Sequence, residues 1–209
     1  QTKLEKLISQ YRELGIDKQI DYDKFYLYSL ITHSTAIEGS TITELENQIM
    51  FDQGISLKGK SMAELNMNLD LKNAYENAVK LANTHADISI DLLKDFSALV
   101  MKNTGQEYKT ALGAFSSARG ELRLLNVTTG IGGKSYMNYS KVPAKLSEFC
   151  VWLNKERENY THKSTVQLYE ISFDAHYHLA TIHPWADGNG RMARLLMNML
   201  QFEFGLIPT

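Results

Sequence analysis

At 209 residues, 44% apolar and 10% aromatic, the chain can build one packed domain with an accessory arm, and disorder is excluded. A net charge of -2 and a pI near 6.3 exclude a broad basic surface for nucleic acid, though not a local basic pocket. The single cysteine, Cys150, excludes an intrachain disulfide and a zinc ribbon; with Leu146 and Leu153 at helical spacing, it is expected to be a buried thiol.

Helical periodicity dominates, and there are only three prolines. Leu4, Leu7, Ile8, Tyr11 and Leu14 predict an amphipathic helix over 3–14, closed by Gly15. A second helix is expected from Asp23 to Ile37, with Gly39 as its C-terminal cap. Thr43-x-x-Glu46 and Ser61-x-x-Glu64 are capping-box patterns. The first should open a short helix ending before Gly54, the second a long one carrying Leu65, Leu69, Tyr75, Val79 and Ala82. Leu93, Phe96 and Val100 mark a further helix, stopped near Gly105. Residues 106–118 carry no clear pattern. Leu122–Thr128 favours a short strand, turned back by Thr129–Gly133. Pro143 suits the first turn of a helix reaching Glu158. Leu168, Ile171, Ala175, Leu179 and Ile182 stripe a helix over 165–182, and Leu195, Met199 and Phe202 stripe the last one. The predicted class is therefore all-α, a helical bundle with one small β-hairpin flap. No run of about 18 apolar residues exists, so no membrane span is expected. The first residues do not resemble a signal peptide, which makes the cytoplasm the expected compartment. A start without Met and an abrupt end at Thr209 suggest flanking sequence.

One stretch concentrates chemistry: His183-Pro184-Trp185-Ala186-Asp187-Gly188-Asn189-Gly190-Arg191-Met192-Ala193-Arg194. Pro184 should end the preceding helix, and the next should begin at or near Arg191. The glycines permit backbone conformations closed to other residues. Backbone N–H groups feeding a helix N-terminus form an anion site, and Arg191 and Arg194 add guanidinium forks suited to phosphate. From residue chemistry alone this is a polyphosphate cradle, with a base and a metal ligand beside it.

The stretch resembles the signature of the Fic family, His-Pro-Phe-x-Asp-Gly-Asn-Gly-Arg-x-x-Arg, departing only at Trp185, where Phe is usual. Upstream, Ser34-Thr35-Ala36-Ile37-Glu38-Gly39 is similar to the family's inhibitory motif. The resemblance implies a Fic-type bundle, with residues 1–54 as an N-terminal arm bearing the inhibitory helix and 55–209 as the catalytic core. It implies transfer of AMP from ATP to a Ser, Thr or Tyr hydroxyl of a target protein, with pyrophosphate released. His183 would be the general base, Asp187 would hold Mg²⁺, Gly188, Asn189 and Gly190 would receive the phosphates, and Arg191 and Arg194 would bind the distal ones. Glu38, with Ser34 and Gly39 around it, would pair with Arg194 and compete with the γ-phosphate. Arg123, Gly132 and Gly133 would belong to a flap that docks the target as an added strand.

The implied partner is a protein, with no nucleic acid or membrane expected and a homodimer possible. Two alternatives stay open: a hydrolase that removes AMP with Glu38 positioning water, and a non-catalytic nucleotide-binding interaction module. Gly190 counts against kinase-type relatives, which carry lysine there.

Overall fold

The structure, a computed structural model, describes residues 2–19 and 21–209. Its helices are α1 (Lys3–Glu13), α2 (Tyr22–Ile37), α3 (Glu44–Gln53), α4 (Met62–Thr84), α5 (Ile90–Val100), α6 (Val142–Arg157), α7 (Thr165–Ile182) and α8 (Asn189–Glu203). Both predicted capping boxes form: Thr43 and Ser61 accept from the N–H groups of Glu46 and Glu64, whose carboxylates reach back. Thr2 with Glu5 and Ser164 with Gln167 do the same for α1 and α7.

The centre of the bundle is α8. Eleven of its 15 residues are buried, so it is enclosed on nearly every side rather than amphipathic against one neighbour. It packs against α7, α4, α5 and α2. Met192, Leu195, Leu196, Met199 and Leu200 fill the core with Leu71, Tyr75, Leu93, Leu146 and Leu179. In the second half of the helix the buried polar side chains find partners. Asn198 accepts from the Tyr75 hydroxyl at 2.6 Å, Gln201 donates to Ser172 Oγ at 3.1 Å, and Glu203 receives the buried Arg157 guanidinium at 2.9 Å. α2 joins this same core through Ile31, which has no exposed surface. Cys150 is buried as expected, and burial pushes its thiol up to about 11.

The regular strands lie away from the predicted place. β1 (Glu107–Thr110) and β2 (Gly113–Ser116) form an antiparallel hairpin within the segment that carried no clear pattern. Tyr108 and Phe115, directly opposite, stack with ring centroids 4.8 Å apart. Leu122–Thr128 is no regular strand, because its backbone is docked elsewhere: the Arg123 N–H donates to Pro184 O at 3.1 Å. Beyond it, Thr128 bridges Ser135, and the Tyr136 and Thr129 N–H groups donate to Val127 O and Lys134 O. An irregular flap with its turn at 129–133 therefore remains. α8 begins at Asn189, two residues earlier than expected, because Gly188 at φ 80° completes the turn within the motif.

Among the described residues no helix is long and apolar enough to cross a membrane.

Trp185, the motif's departure from Phe, is fully buried, and its indole N–H donates to Gly120 O at 3.0 Å. Gly120 sits at φ 68°, and a Cβ there would fall on the Lys94 carbonyl oxygen. Gly120→Ala is therefore expected to cost more than about 2 kcal/mol through a disfavoured backbone and a backbone clash. Urea unfolding reads this directly, and an unchanged midpoint would show that the support under Trp185 tolerates a side chain.

Candidate active site

The site is built where α7 ends and α8 begins. The proline at 184 disfavours helical geometry at His183. His183 instead caps α7 in the left-handed region, φ 53°, ψ 62°, while its N–H still donates to Leu179 O. Its Nδ1 lies 3.2 Å from Ala180 O, which assigns the neutral-ring proton to Nδ1 and leaves Nε2 as the acceptor. Burial lowers its pKa, reinforced by the Arg123 charge and opposed by the Ala180 carbonyl and Asp187. The neutral form, which can take a proton, is favoured. Tyr136 from the flap stacks on the imidazole, with centroids 3.6 Å apart and planes 16° from parallel. Nothing in the sequence marks Tyr136 as special, since the contact joins positions 47 residues apart.

Two side chains hold the loop after His183. Asn189 Oδ1 accepts from Trp185 N at 3.0 Å and its Nδ2 donates to Trp185 O at 2.9 Å. The whole amide is thus engaged in the loop, which leaves the Asn189 backbone N–H as its means of meeting an anion. Arg123 is 1% exposed and donates through Nε to His183 O at 2.7 Å, through Nη1 to Leu125 O at 2.8 Å and through Nη2 to Met137 O. Its expected place on the target-docking surface is corrected here. A guanidinium enclosed by three carbonyls ties the flap to the loop and is out of a partner's reach. Gly132 and Gly133 do lie in the flap turn, next to fully exposed Ile131.

Gly188 precedes α8 without a capping side chain, and a Cβ there would lie 2.6 Å from Met101 Sδ. The first helical bond runs from Met192 N to Gly188 O, so the N–H groups of Asn189, Gly190 and Arg191 have no intrahelical acceptor. Their partial positive charge adds to the helix dipole. Arg191 is buried, and its Nε and Nη1 have no hydrogen-bond partner among the described residues. Its Nη2 is 3.7 Å from Asp187 Oδ1, whose carboxylate is exposed. A buried guanidinium with two free donors costs free energy until an anion fills its fork. The start of α8 thus offers the donors that an anion would need.

Arg194 is the one guanidinium there with occupants. Its Nε donates to Ser34 Oγ at 2.8 Å, and its Nη2 to Ser34 O at 3.1 Å and Glu38 Oε1 at 2.6 Å. Glu38 caps the C-terminus of α2, and Gly39 at φ 95° turns the chain away. A Cβ on Gly190 would lie 2.9 Å from Glu38 Oε1 and 3.1 Å from Arg194 Nη1, so glycine there lets the ion pair lie against the α8 N-terminus.

The mount of Glu38 was not legible in sequence. Asn68 accepts from Thr35 Oγ1 at 2.9 Å and from Asn47 Nδ2 at 2.8 Å, and donates to Ser40 Oγ at 3.1 Å. Glu64 accepts from Thr41 N and Oγ1, and these bonds hold its carboxyl down at about 2. The Ser61-x-x-Glu64 pattern signalled a helix start; nothing in it signalled that Glu64 also grips the segment after Glu38.

The chain is similar to known proteins in sequence and in fold. Two curated relatives are protein adenylyltransferase fic-1 of Caenorhabditis elegans and protein adenylyltransferase Fic of Drosophila melanogaster. The first is 29% identical over 188 residues, covering 89% of this chain and 33% of that protein. The second is 33% identical over 181 residues, covering 85% and 33%. The chain thus spans about a third of the length of these relatives. The solved Fic-1 fragment from C. elegans superposes with a TM-score of 0.69 at 27% identity, covering 91% of this chain and 52% of that one. A Fic domain containing signaling protein from Bacteroides thetaiotaomicron superposes at 0.77 with 22% identity, covering 99% and 76%, a likeness of fold. The Fic/DOC family model matches residues 87–201, more than half of the sequence and the whole of the cradle to Arg194, and on this match the chain belongs to the Fic/DOC family.

Proposed function

We propose that this chain is a self-inhibited protein adenylyltransferase that moves AMP from ATP to a Ser, Thr or Tyr hydroxyl of a target protein. The observation that carries the reading is the buried Arg191 fork with two unpartnered donors, set beside an uncapped helix N-terminus and a His favoured in its neutral form. The curated relatives are named protein adenylyltransferase, in keeping with that chemistry.

In this reading the target hydroxyl oxygen attacks the α-phosphorus of ATP. A new P–O bond forms, the bond to the β-phosphate oxygen breaks, and pyrophosphate leaves. The hydroxyl proton passes to His183 Nε2, while Nδ1–H stays on Ala180 O and fixes the ring. The backbone N–H groups of Asn189, Gly190 and Arg191 meet the phosphates, and the Arg191 fork holds the distal ones. Among the described residues no three metal-binding side chains converge, so the donor set fits an ion that takes most ligands from phosphate oxygens and water. Asp187, an exposed carboxylate at the mouth, would hold Mg²⁺, which supplies charge neutralisation on the phosphates when bound. Glu38 occupies Arg194 and lies against the α8 N-terminus, so it acts as a resident anion that competes with the terminal phosphate. Residues 1–54 then form the regulatory arm of a catalytic unit made by 55–209, and the cytoplasm is the proposed compartment.

Removing the carboxylate frees Arg194. The pair is about one-third exposed at Glu38, which limits its worth below that of a fully buried pair. Glu38→Gly is expected to raise incorporation of labelled AMP, into itself or lysate proteins, by about tenfold or more. Adding His183→Ala should abolish labelling while ATP binding by calorimetry persists. Labelling that does not rise in Glu38→Gly sinks the inhibition; labelling that survives His183→Ala sinks the assigned base.

The pH dependence has a definite sign. The base must be neutral, so activity rises with pH through the His183 pKa, which burial holds below the ordinary value of about 6.5. The acidic limb of the Glu38→Gly rate profile should therefore lie below about pH 6.5. Tyr136→Ala, which opens one ring face to water, should move that limb upward. A limb near 7 in both proteins would contradict the proposed environment.

A further inference from the structure

A cleft of about 340 Å³ lies between α6 and α7, beside the flap and apart from the phosphate cradle. Its apolar wall is Met137, Phe149, Trp152 and Ile182. The Lys145–Glu148 ion pair stands at the rim, and His178 meets the Trp152 ring edge-on at 4.9 Å. The charged groups at the rim hold each other, so the interior offers apolar surface and little else. Such a lining selects for hydrocarbon rather than for charge.

Two of its walls are joined to the proposed base. Ile182 immediately precedes His183, and Met137 immediately follows Tyr136, whose ring lies on the imidazole. Arg123 fastens the Met137 carbonyl and the His183 carbonyl through one guanidinium, so the cleft and the base are held in fixed relation. The flap limb leading there also has an open edge. Ser135 makes no backbone hydrogen bond among the described residues, while Lys134 and Tyr136 are bonded across the flap. An extended segment can pair on such an edge, with every second side chain on the same face. Met137 follows Ser135 by two residues, which span about 7 Å where the chain is extended.

We infer that this cleft is a specificity subsite for the target protein: it takes a large apolar side chain, Leu, Met, Phe or Trp, lying two or three residues from the modified hydroxyl. The inference rests on the transfer reading above and adds which neighbour of the hydroxyl the protein reads. It makes the target segment recognisable by pattern: one hydroxyl residue with a bulky apolar residue at a fixed short offset.

The test uses the Glu38→Gly full chain, labelled ATP, magnesium and an array of 12-residue peptides. Each peptide carries one central Tyr, Thr or Ser and every residue type in turn at each flanking position. The expected result is a preference for Leu, Met, Phe or Trp at one offset, about tenfold or more over Ala or Asp in kcat/KM, the scale for burying such a side chain. Trp152→Ala should flatten that preference, mainly by raising KM. Thr181→Arg, which fills the cleft from an exposed helix position, should do the same without touching the core. Peptide labelling with no positional preference, or a preference that survives both substitutions, overturns the cleft while leaving the transfer reading standing. A Glu38→Gly protein that labels neither peptides, lysate nor itself overturns the transfer reading and the cleft with it.

Discussion

One guanidinium cannot be held by two anions at once, and the arrangement around Arg194 turns on that constraint. Its Nε and Nη2 are already engaged by Ser34 and Glu38, whereas Arg191, one turn earlier on the same helix, has Nε and Nη1 free. Two arginines of like chemistry thus stand in opposite states. The difference comes from α2, which delivers its C-terminal carboxylate to the second and not to the first. In the proposed reading, a nucleotide finds one fork ready and the other taken.

Such competition needs a carboxylate that stays in place, because a mobile glutamate at the surface is a weak ligand. The buried amides supply the restraint. Asn68 joins Thr35, Ser40 and Asn47 in a connected network beneath the last turn of α2, and Glu64 holds Thr41 on the far side of Gly39. The backbone around Glu38 is thereby pinned before and after the residue. A buried hydrogen-bonded network is geometrically demanding, since breaking one member leaves others unpaired. In the proposed reading, relief of inhibition would draw the glutamate side chain off Arg194 rather than unseat the helix.

How legible was this in the chain itself? The helices were, because their signals are local: capping pairs at Thr43 and Ser61, a proline at 143, and apolar stripes of period near 3.6. The cradle was legible for the same reason, since its residues lie within twelve positions and their backbone requirements follow from Gly and Pro. The Glu38–Arg194 contact, spanning 156 residues, came from resemblance and not from any pattern in the residues. The hairpin failed in an instructive way. Leu122–Thr128 has the composition of a strand, but its backbone donor at Arg123 is taken by Pro184 O, a partner no local rule reveals. The true strands at 107–116 are short and mostly exposed, so they carry little apolar alternation to detect. Arg123 was placed in the flap by resemblance, and no residue pattern showed its burial, which three carbonyls from distant segments make tolerable.

The same arginine also ties the His183 loop to the flap. His183 stands in a left-handed conformation that costs a non-glycine residue of order 1 kcal/mol, so surrounding contacts must hold it there. Arg123 takes its carbonyl, Ala180 O takes its Nδ1, and Tyr136 covers its ring. Of these, Arg123 and Tyr136 come from the 120–137 segment. That segment therefore sets the orientation of the imidazole and also presents the open edge at Ser135. In the proposed reading, a target strand pairing there would bear on the element that also holds His183 through Arg123.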